Sequence, residues 1–179
     1  NKDDLIKKGF KIKKSYFNNL SPHKLSKNEN KELIFIVGMP RSGSTLLENI
    51  LSLNEKVIDL GEIDYLSQSI SEDYMNNDPE NPYDRYLRLL NKTSPNIKIA
   101  TDKNLFNYVY CPVIKKYFKT SKIIFCRGNP LDNILSIFRT NFTKLPFTSD
   151  LKDITELYIH HIDLMKIYTT SYQDIIYNY

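Results

Sequence analysis

Five short apolar runs alternate with longer amphipathic stretches along the chain. The runs are ELIFIVG, KVIDLGE, NIKIATDK, SKIIFCRG and DIIYNY. The first is continuously apolar, as in a strand that is buried on both faces of a sheet. Strands that alternate with helices indicate right-handed crossovers and parallel pairing. The pattern therefore predicts a three-layer α/β fold, with a parallel central sheet and helices on both faces.

The helices are predicted from apolar positions that repeat with the helical period. Besides one directly after the first strand, they are expected near residues 5–17, 63–74, 83–91, 106–118, 129–142 and 151–168. In the helix after the first strand, one side carries Leu46, Leu47, Ile50 and Leu51. In the 129–142 helix, Asn129 suits the N-cap and Pro130 the first helical position. One face of that helix carries Leu131, Ile134, Leu135, Phe138 and Phe142.

Composition narrows the classes of function. The chain has 179 residues, of which 41% are hydrophobic and 26% charged, as in one globular domain. Its formal net charge of +4, from 25 basic and 21 acidic residues, suits an anionic ligand. The lysines form no long basic stripe, so nucleic acid is not an expected partner. Cys111 and Cys126 lack metal-ligand spacing, which predicts reduced thiols in a reducing compartment, the cytoplasm.

The first 30 residues differ from the rest of the chain. They are polar and rich in lysine, which predicts an adaptor segment over 1–30 before a domain over 31–179. The start has no apolar segment like that of a signal peptide, and no run reaches the roughly 18 apolar residues of a membrane helix. Because the chain starts without methionine and stops inside a strand-like stretch, we expect a piece of a longer protein, truncated at the C-terminus.

A glycine-bounded turn joins the first strand to its helix. In GMPRSGST, Gly38 and Gly43 have the spacing of a phosphate-binding loop and Thr45 ends the pattern, but Ser44 stands where that motif has a lysine. Successive backbone N–H groups of such a turn point at an anion at the helix N-terminus. Arg41 adds a positive charge. The loop therefore predicts a site for a phosphate compound that needs no such lysine.

Polar side chains also follow the other strands. Glu62 comes after the second strand, Asp102 and Lys103 after the third, and Arg127 after the fourth. Ligands of parallel sheets bind beyond the carboxyl ends of the strands, so we expect these side chains to converge with the loop. From the residues alone, Lys103 is also compatible with a surface lysine, and Glu62 with a residue that interacts with a helix dipole.

Four motifs in this order resemble those of sulfotransferases that use 3′-phosphoadenosine 5′-phosphosulfate (PAPS). They are GMPRSGSTLLENIL, LGE, TDKN and NPLDNILSIFRTNF. The resemblance covers Leu33 to Tyr179 and is closest to bacterial sulfotransferase domains often attached to tetratricopeptide repeats, and to tyrosylprotein sulfotransferases. It implies a P-loop nucleotide-kinase-like fold and transfer of a sulfuryl group to a hydroxyl, with 3′-phosphoadenosine 5′-phosphate (PAP) as product and no metal.

The acceptor that the resemblance implies is the hydroxyl of a peptide tyrosine, a carbohydrate or a small molecule. An upstream repeat domain in the full-length protein is compatible with it, whereas a membrane partner is not expected. The implied donor-binding residues are Pro40, Arg41, Ser42, Gly43, Ser44, Thr45, Arg127 and Ser136. The implied catalytic residues are Arg41, which would neutralise the 5′-phosphate, Lys103, a cation at the reacting centre, and Glu62, the general base.

One position departs from the resemblance. Such proteins usually have an arginine eight residues before the serine that holds the 3′-phosphate, here Ser136, but this chain has Gly128 there and Arg127 one residue earlier. Two rivals stay open. A P-loop kinase would need a lysine at position 44 and an acidic magnesium site, and a non-catalytic relative would bind PAPS or PAP without turnover.

Overall fold

A parallel sheet forms the centre of the molecule. The computed structural model describes residues 1–14, 31–70, 81–140 and 142–179. Within these ranges the strands are β1 (Glu32–Gly38), β2 (Val57–Asp59), β3 (Ile99–Asp102), β4 (Lys122–Cys126) and β5 (Ile176–Asn178). Their order is β2-β3-β1-β4-β5, and all neighbours are parallel. The predicted five strands and their parallel pairing are confirmed.

Seven α-helices and two 3-10 helices connect and cover these strands in the described ranges. The α-helices are α1 (Lys2–Ile12), α2 (Ser44–Ser52), α3 (Tyr65–Ser69), α4 (Pro82–Thr93), α5 (Cys111–Tyr117), α6 (Pro130–Arg139) and α7 (Leu151–Ser171). The 3-10 helices are Leu105–Tyr110 and Pro146–Ser149. Of the predicted helices near 5–17 and 63–74, residues 15–17 and 71–74 lie outside the described ranges. The predicted 106–118 helix is instead a 3-10 helix followed by α5.

Local capping fixes where the helices begin. The Asn129 side-chain oxygen accepts hydrogen bonds from the backbone N–H groups of Leu131 and Asp132, with Pro130 at the first position of α6. The start of this helix is therefore the one predicted. Asp150 caps α7 in the same way. Such caps satisfy N–H groups that have no partner within the helix.

The side chains of β1 alternate between two cores. Leu33, Phe35 and Val37 belong to the large core cluster that also contains buried residues of α4, α5 and α7. Ile36, on the opposite face, packs with Leu47 of α2. The sheet therefore lies between two helical layers, as the sequence predicts. Among the described helices, none is long and apolar enough to cross a bilayer.

Helix α1 packs on the domain. Ile12 is buried in the large core cluster. The Lys2 ammonium donates to Asp153 and Glu156 of α7, with Nζ–O distances of 2.6 Å to each. Residues 2–12 thus contribute apolar and ionic contacts to the body of the fold.

Helix α6 does not bury its most apolar face. Leu131, Leu135 and Phe138 are 72%, 50% and 44% exposed, whereas Asn133 and Ile137 are buried. On α2, too, Leu46 and Ile50 are exposed while Leu47 is buried. The reason on α6 is a tertiary contact, because Asn133 is held by the loop that precedes α2. An apolar stripe therefore identifies these helices without determining which side packs inward.

Candidate functional site

The loop between β1 and α2 has the backbone of an anion-binding turn. Arg41 and Gly43 are left-handed, with φ values of 68° and 86°. A Cβ atom on Gly38 would lie 2.7 Å from the Cys126 carbonyl oxygen, so the close approach of β4 requires glycine there. Gly43 is the N-cap of α2 and provides no side-chain hydrogen bond to the helix. The backbone N–H groups in the first turn of α2 are therefore available to donate hydrogen bonds to an anion.

Side chains in the loop also suit a phosphate ligand. The Ser42 hydroxyl oxygen is buried and has no hydrogen-bond partner among the described residues. A buried hydroxyl without a partner is unfavourable, and a phosphate oxygen would supply one. Ser44, at the position of the usual lysine, is 5% exposed, and its short side chain sits at the first turn of α2.

Helix α6 is fixed to this loop by two side-chain contacts. The Arg41 guanidinium donates from Nε to the Ser136 hydroxyl at 2.9 Å. The buried Asn133 amide donates to the Pro40 carbonyl oxygen, also at 2.9 Å. Two of the predicted donor-binding residues, Arg41 and Ser136, are thus in direct contact although 95 positions separate them in the sequence.

The glycine at position 128 has a packing reason. A Cβ atom there would lie 2.0 Å from the Oδ1 atom of Asn133. The side chain that an arginine needs at this position would therefore displace the residue that holds Pro40. Arg127 is exposed, and its backbone N–H donates to the Tyr179 carbonyl oxygen at 2.9 Å. The side chain of Arg127 is free to face solvent at the carboxyl edge of the sheet, beside α6.

Arg127 also influences Tyr158 of α7. The Tyr158 hydroxyl donates to the Gly128 carbonyl oxygen at 3.4 Å. Burial raises the pKa of this tyrosine, and the charge of Arg127 opposes that rise. The charge of Arg127 therefore reaches Tyr158 of α7, whose hydroxyl contacts the segment that joins β4 to α6.

A second cluster of charges lies on the other side of β1. The Lys103 ammonium, which follows β3, is 3.1 Å from Glu62 Oε1 and 3.7 Å from Glu48 Oε2. Glu48 also accepts a hydrogen bond from the Thr101 hydroxyl at 2.8 Å. The Lys103 and Glu48 side chains are 8% and 6% exposed, whereas that of Glu62 is 71% exposed. Lys103 is therefore a buried, paired cation and not a surface lysine.

Asp102, the residue before Lys103, is fully buried and has hydrogen-bond partners of its own. Its carboxylate accepts hydrogen bonds from the Tyr86 hydroxyl, the Asn104 backbone N–H and the Asn107 side-chain amide. Burial raises the pKa of Asp102 to about 7, against the lowering effect of the Asn104 and Tyr86 hydrogen bonds. The charge of Glu48 raises it further. The carboxyl thus titrates near neutrality at the carboxyl end of β3.

We expect the stability of the protein to fall between about pH 4 and pH 7 because of Asp102. In the unfolded chain this carboxyl loses its proton near pH 4, but in the folded chain it keeps the proton up to about pH 7. Its contribution is complete below pH 4 and lost as the pH rises through 7, about 4 kcal/mol in all. Urea unfolding of wild type and Asp102→Asn at pH 5 and pH 8 measures it. Equal pH dependence in the two proteins would contradict this assignment.

The two clusters flank β1 at one edge of the sheet. Arg41 and Ser136 connect the ends of β1 and β4, and Lys103 with Glu62 connects the ends of β3 and β2. The loops thus converge, as predicted, in two groups of contacts. Helix α2 connects these groups, because it starts at the β1–α2 loop and its Glu48 contacts Lys103. Thr45 is exposed at the first turn of that helix.

Glu48 and Asn133 belong to the site but are not among the residues that the sequence predicts for it. Glu48 lies on the buried side of α2, four residues after Ser44 and one after Leu47. A carboxylate on an inward helical face signals a cation nearby, but that signal is readable only once the inward side of α2 is known. Asn133 has no comparable signal, because an asparagine in a helix is ordinarily explained by exposure. No group of three or more metal-ligating side chains is placed to hold a metal ion in the described ranges.

Comparison with known proteins gives a family match for part of the chain. The model of the sulfotransferase family matches residues 34–82, which include the phosphate loop, α2 and Glu62. This match supports a sulfotransferase-family domain. An uncharacterized protein from Aquifex aeolicus (strain VF5) is 27% identical over 161 residues, which cover 76% of this chain and 21% of the relative. The chain thus spans about a fifth of the length of that curated relative.

The fold itself has a solved counterpart. Shikimate kinase from Bacteroides thetaiotaomicron superposes with a TM-score of 0.52 at 12% sequence identity, over 82% of this chain and 85% of that chain. The likeness concerns architecture alone, since so low an identity carries no information on substrates. The domain therefore has a P-loop kinase-like fold, and its side chains determine its chemistry.

Proposed function

We propose that this chain transfers a sulfuryl group from PAPS to the hydroxyl of an acceptor. One observation carries the proposal: a phosphate loop with an open helix start and an arginine instead of the usual lysine lies at the same sheet edge as the Lys103–Glu62 pair. The family match over residues 34–82 supports a sulfotransferase-type domain. The donor and the residue roles go beyond that match and rest on the contacts of the residues concerned.

The loop residues would hold the 5′-phosphate. Pro40 to Thr45 supply the turn, the open N–H groups of α2 and the unpartnered hydroxyl of Ser42. Arg41 is held at the loop by Ser136 and brings a charge that suits the leaving phosphate. Ser136 and the exposed Arg127 lie on the α6 side, where the 3′-phosphate would bind. A triphosphate-binding lysine is not needed for a donor with one 5′-phosphate.

The chemistry would fall to the Lys103–Glu62 pair. As the acceptor oxygen forms its bond to sulfur, the bond from sulfur to the 5′-phosphate oxygen breaks, and the phosphate keeps the electron pair. Glu62, which is exposed and reachable by an acceptor, takes the hydroxyl proton. Lys103 and Arg41 stabilise the negative charge on the sulfuryl and phosphate oxygens.

The finer assignments belong to the same proposal. We infer a relationship to the tetratricopeptide-associated and tyrosylprotein sulfotransferases, and an acceptor that is a peptide tyrosine, a carbohydrate or a small molecule. Residues 1–30 would connect the domain to an upstream segment. The two cysteines, Cys111 and Cys126, are free and buried, which fits a cytoplasmic location. Radiolabelled sulfate transfer to a panel of these three acceptor classes would identify the acceptor.

Nucleotide selectivity tests the donor directly. We expect PAP to bind at least about tenfold more tightly than ATP, because one charge-assisted contact to the 3′-phosphate contributes about 1.5–3 kcal/mol. Magnesium should change PAP binding little, since no polyphosphate has to be bridged. Calorimetric titrations with PAP, adenosine 5′-monophosphate and ATP, each with and without magnesium, give the comparison.

Each outcome of these titrations favours one function. Binding of PAP over adenosine 5′-monophosphate supports a donor site that reads the 3′-phosphate. Tight ATP binding that depends on magnesium would replace the proposal with a nucleotide-dependent kinase. Tight PAP binding without sulfate transfer to any acceptor of the panel would identify a non-catalytic PAPS- or PAP-binding relative.

A further inference from the structure

Glu48 puts a buried negative charge next to a site that is built for an anion. It lies on α2 four residues after Ser44, and only 6% of its side chain is exposed. Burying a carboxylate is costly unless it is paired and hydrogen-bonded. A negative charge close to a phosphate loop weakens anion binding, so we expect Glu48 to have a role that offsets this cost. Its two oxygens face Thr101 and Lys103.

The two carboxylates around Lys103 differ in how firmly they are held. Glu48 is buried and has a second partner, because Thr101, itself fully buried, donates to its Oε1 atom. Glu62 is 71% exposed and contacts the ammonium at 3.1 Å. An exposed ion pair contributes little and is easily exchanged, whereas breaking a buried pair leaves an unpaired buried charge. Glu48 is therefore the fixed partner of Lys103, and Glu62 the exchangeable one.

We propose that Glu48 is a positioning residue that holds the Lys103 ammonium at the sheet edge through an exchange of partners. When the anionic donor binds, Lys103 keeps Glu48 and gives up Glu62 for an oxygen of the donor. Glu62 is then free to accept the proton of the acceptor hydroxyl. The catalytic part of this inference rests on the proposed sulfuryl transfer, whereas the placement of Lys103 by Glu48 does not.

The exchange predicts that donor affinity and turnover respond differently to Glu48→Gln. Removing a negative charge near the phosphate loop should leave PAP binding no weaker than in wild type. Turnover should fall about 100-fold, because a reacting group that is misplaced by about 1 Å loses that much rate. Glu55→Gln makes the same chemical change at an exposed position just beyond α2 and should alter neither quantity. A merely structural role for Glu48 would lower affinity and turnover together.

A spectroscopic measurement tests the placement without any substrate. An ammonium that is buried and ion-paired exchanges its protons slowly, so lysine ¹H–¹⁵N spectra should contain a Lys103 signal, identified by its absence in Lys103→Met. The signal should persist in Glu62→Gln and Glu55→Gln and disappear in Glu48→Gln. Thr101→Val, which removes only the hydrogen bond to Glu48, should weaken the signal and serves as a second variant if Glu48→Gln does not fold.

Two results would overturn the inference: a Lys103 signal that survives Glu48→Gln but not Glu62→Gln, or wild-type turnover in folded Glu48→Gln. The proposed function fails separately, if the wild-type chain neither binds PAP nor transfers sulfate to any acceptor. In that case the ammonium spectra still decide whether Glu48 holds Lys103.

Discussion

Glu62→Gln is expected to lower turnover about 10²–10⁴-fold, the usual contribution of a general base, and not to weaken PAP binding. The amide keeps the size of the side chain but cannot take a proton from the acceptor. PAP affinity should persist, because Glu62 lies with Lys103 on the β3 side of β1, away from the Arg41–Ser136 contact. Because the Glu62 side chain is exposed, its replacement should leave the fold intact.

Single-turnover sulfate transfer from PAPS, beside a calorimetric titration with PAP, measures the two quantities. Asp64→Asn is the matched control, since it removes an exposed carboxylate two residues away whose Oδ1 atom accepts from Gln68. Full turnover of Glu62→Gln would assign the proton transfer to another group. Glu62 would then serve as an ion-pair partner of Lys103 and not as the general base.

Arg41→Ala is expected to weaken PAP binding roughly 10- to 150-fold, which corresponds to about 1.5–3 kcal/mol for a charge-assisted contact to phosphate. Turnover should fall as well, because the same charge would stabilise the leaving phosphate. Arg41 is left-handed at φ 68°, so alanine, which keeps the Cβ atom, leaves the backbone preference comparable. Glycine would also make the loop more flexible, so the effect of the lost charge could not be separated from the effect of that flexibility.

The control for this variant is Lys56→Ala, which removes one exposed positive charge at the amino end of β2, the opposite edge of the sheet. Ser136→Ala adds a graded comparison, since it removes the hydroxyl that receives the Arg41 hydrogen bond and keeps the charge. Because Ser136 would also contact the 3′-phosphate, Ser136→Ala should weaken binding of PAP more than binding of adenosine 5′-monophosphate, whereas Arg41→Ala should weaken both. Unchanged affinity and turnover in Arg41→Ala would rule out the phosphosulfate-loop assignment.

The architecture and the glycine-bounded loop after β1 are predictable from the sequence alone. The strands are short apolar runs between amphipathic stretches, and β1, which is buried on both faces, matches its predicted bounds, ELIFIVG, at both ends. The start of α6 was readable because Asn129 and Pro130 act within one turn of the chain. Gly38 and Gly43 mark the loop because a close approach and a left-handed backbone each need glycine. All of these signals come from residues that are close together in the chain, so they can be recognised in a single sequence.

The partners of the site residues follow from the packing of segments that are distant in the sequence. Glu48 meets Thr101 at a separation of 53 positions, and Asn133 meets Pro40 at a separation of 93. No period or spacing encodes such pairs, because they arise when α2 and α6 dock against loops from other strands. The same docking exposes Leu131 and buries polar side chains, which reverses what the apolar stripe of α6 suggests. Hydrophobic patterning determines that a helix forms, whereas the hydrogen bonds of its buried polar groups determine which side faces the core.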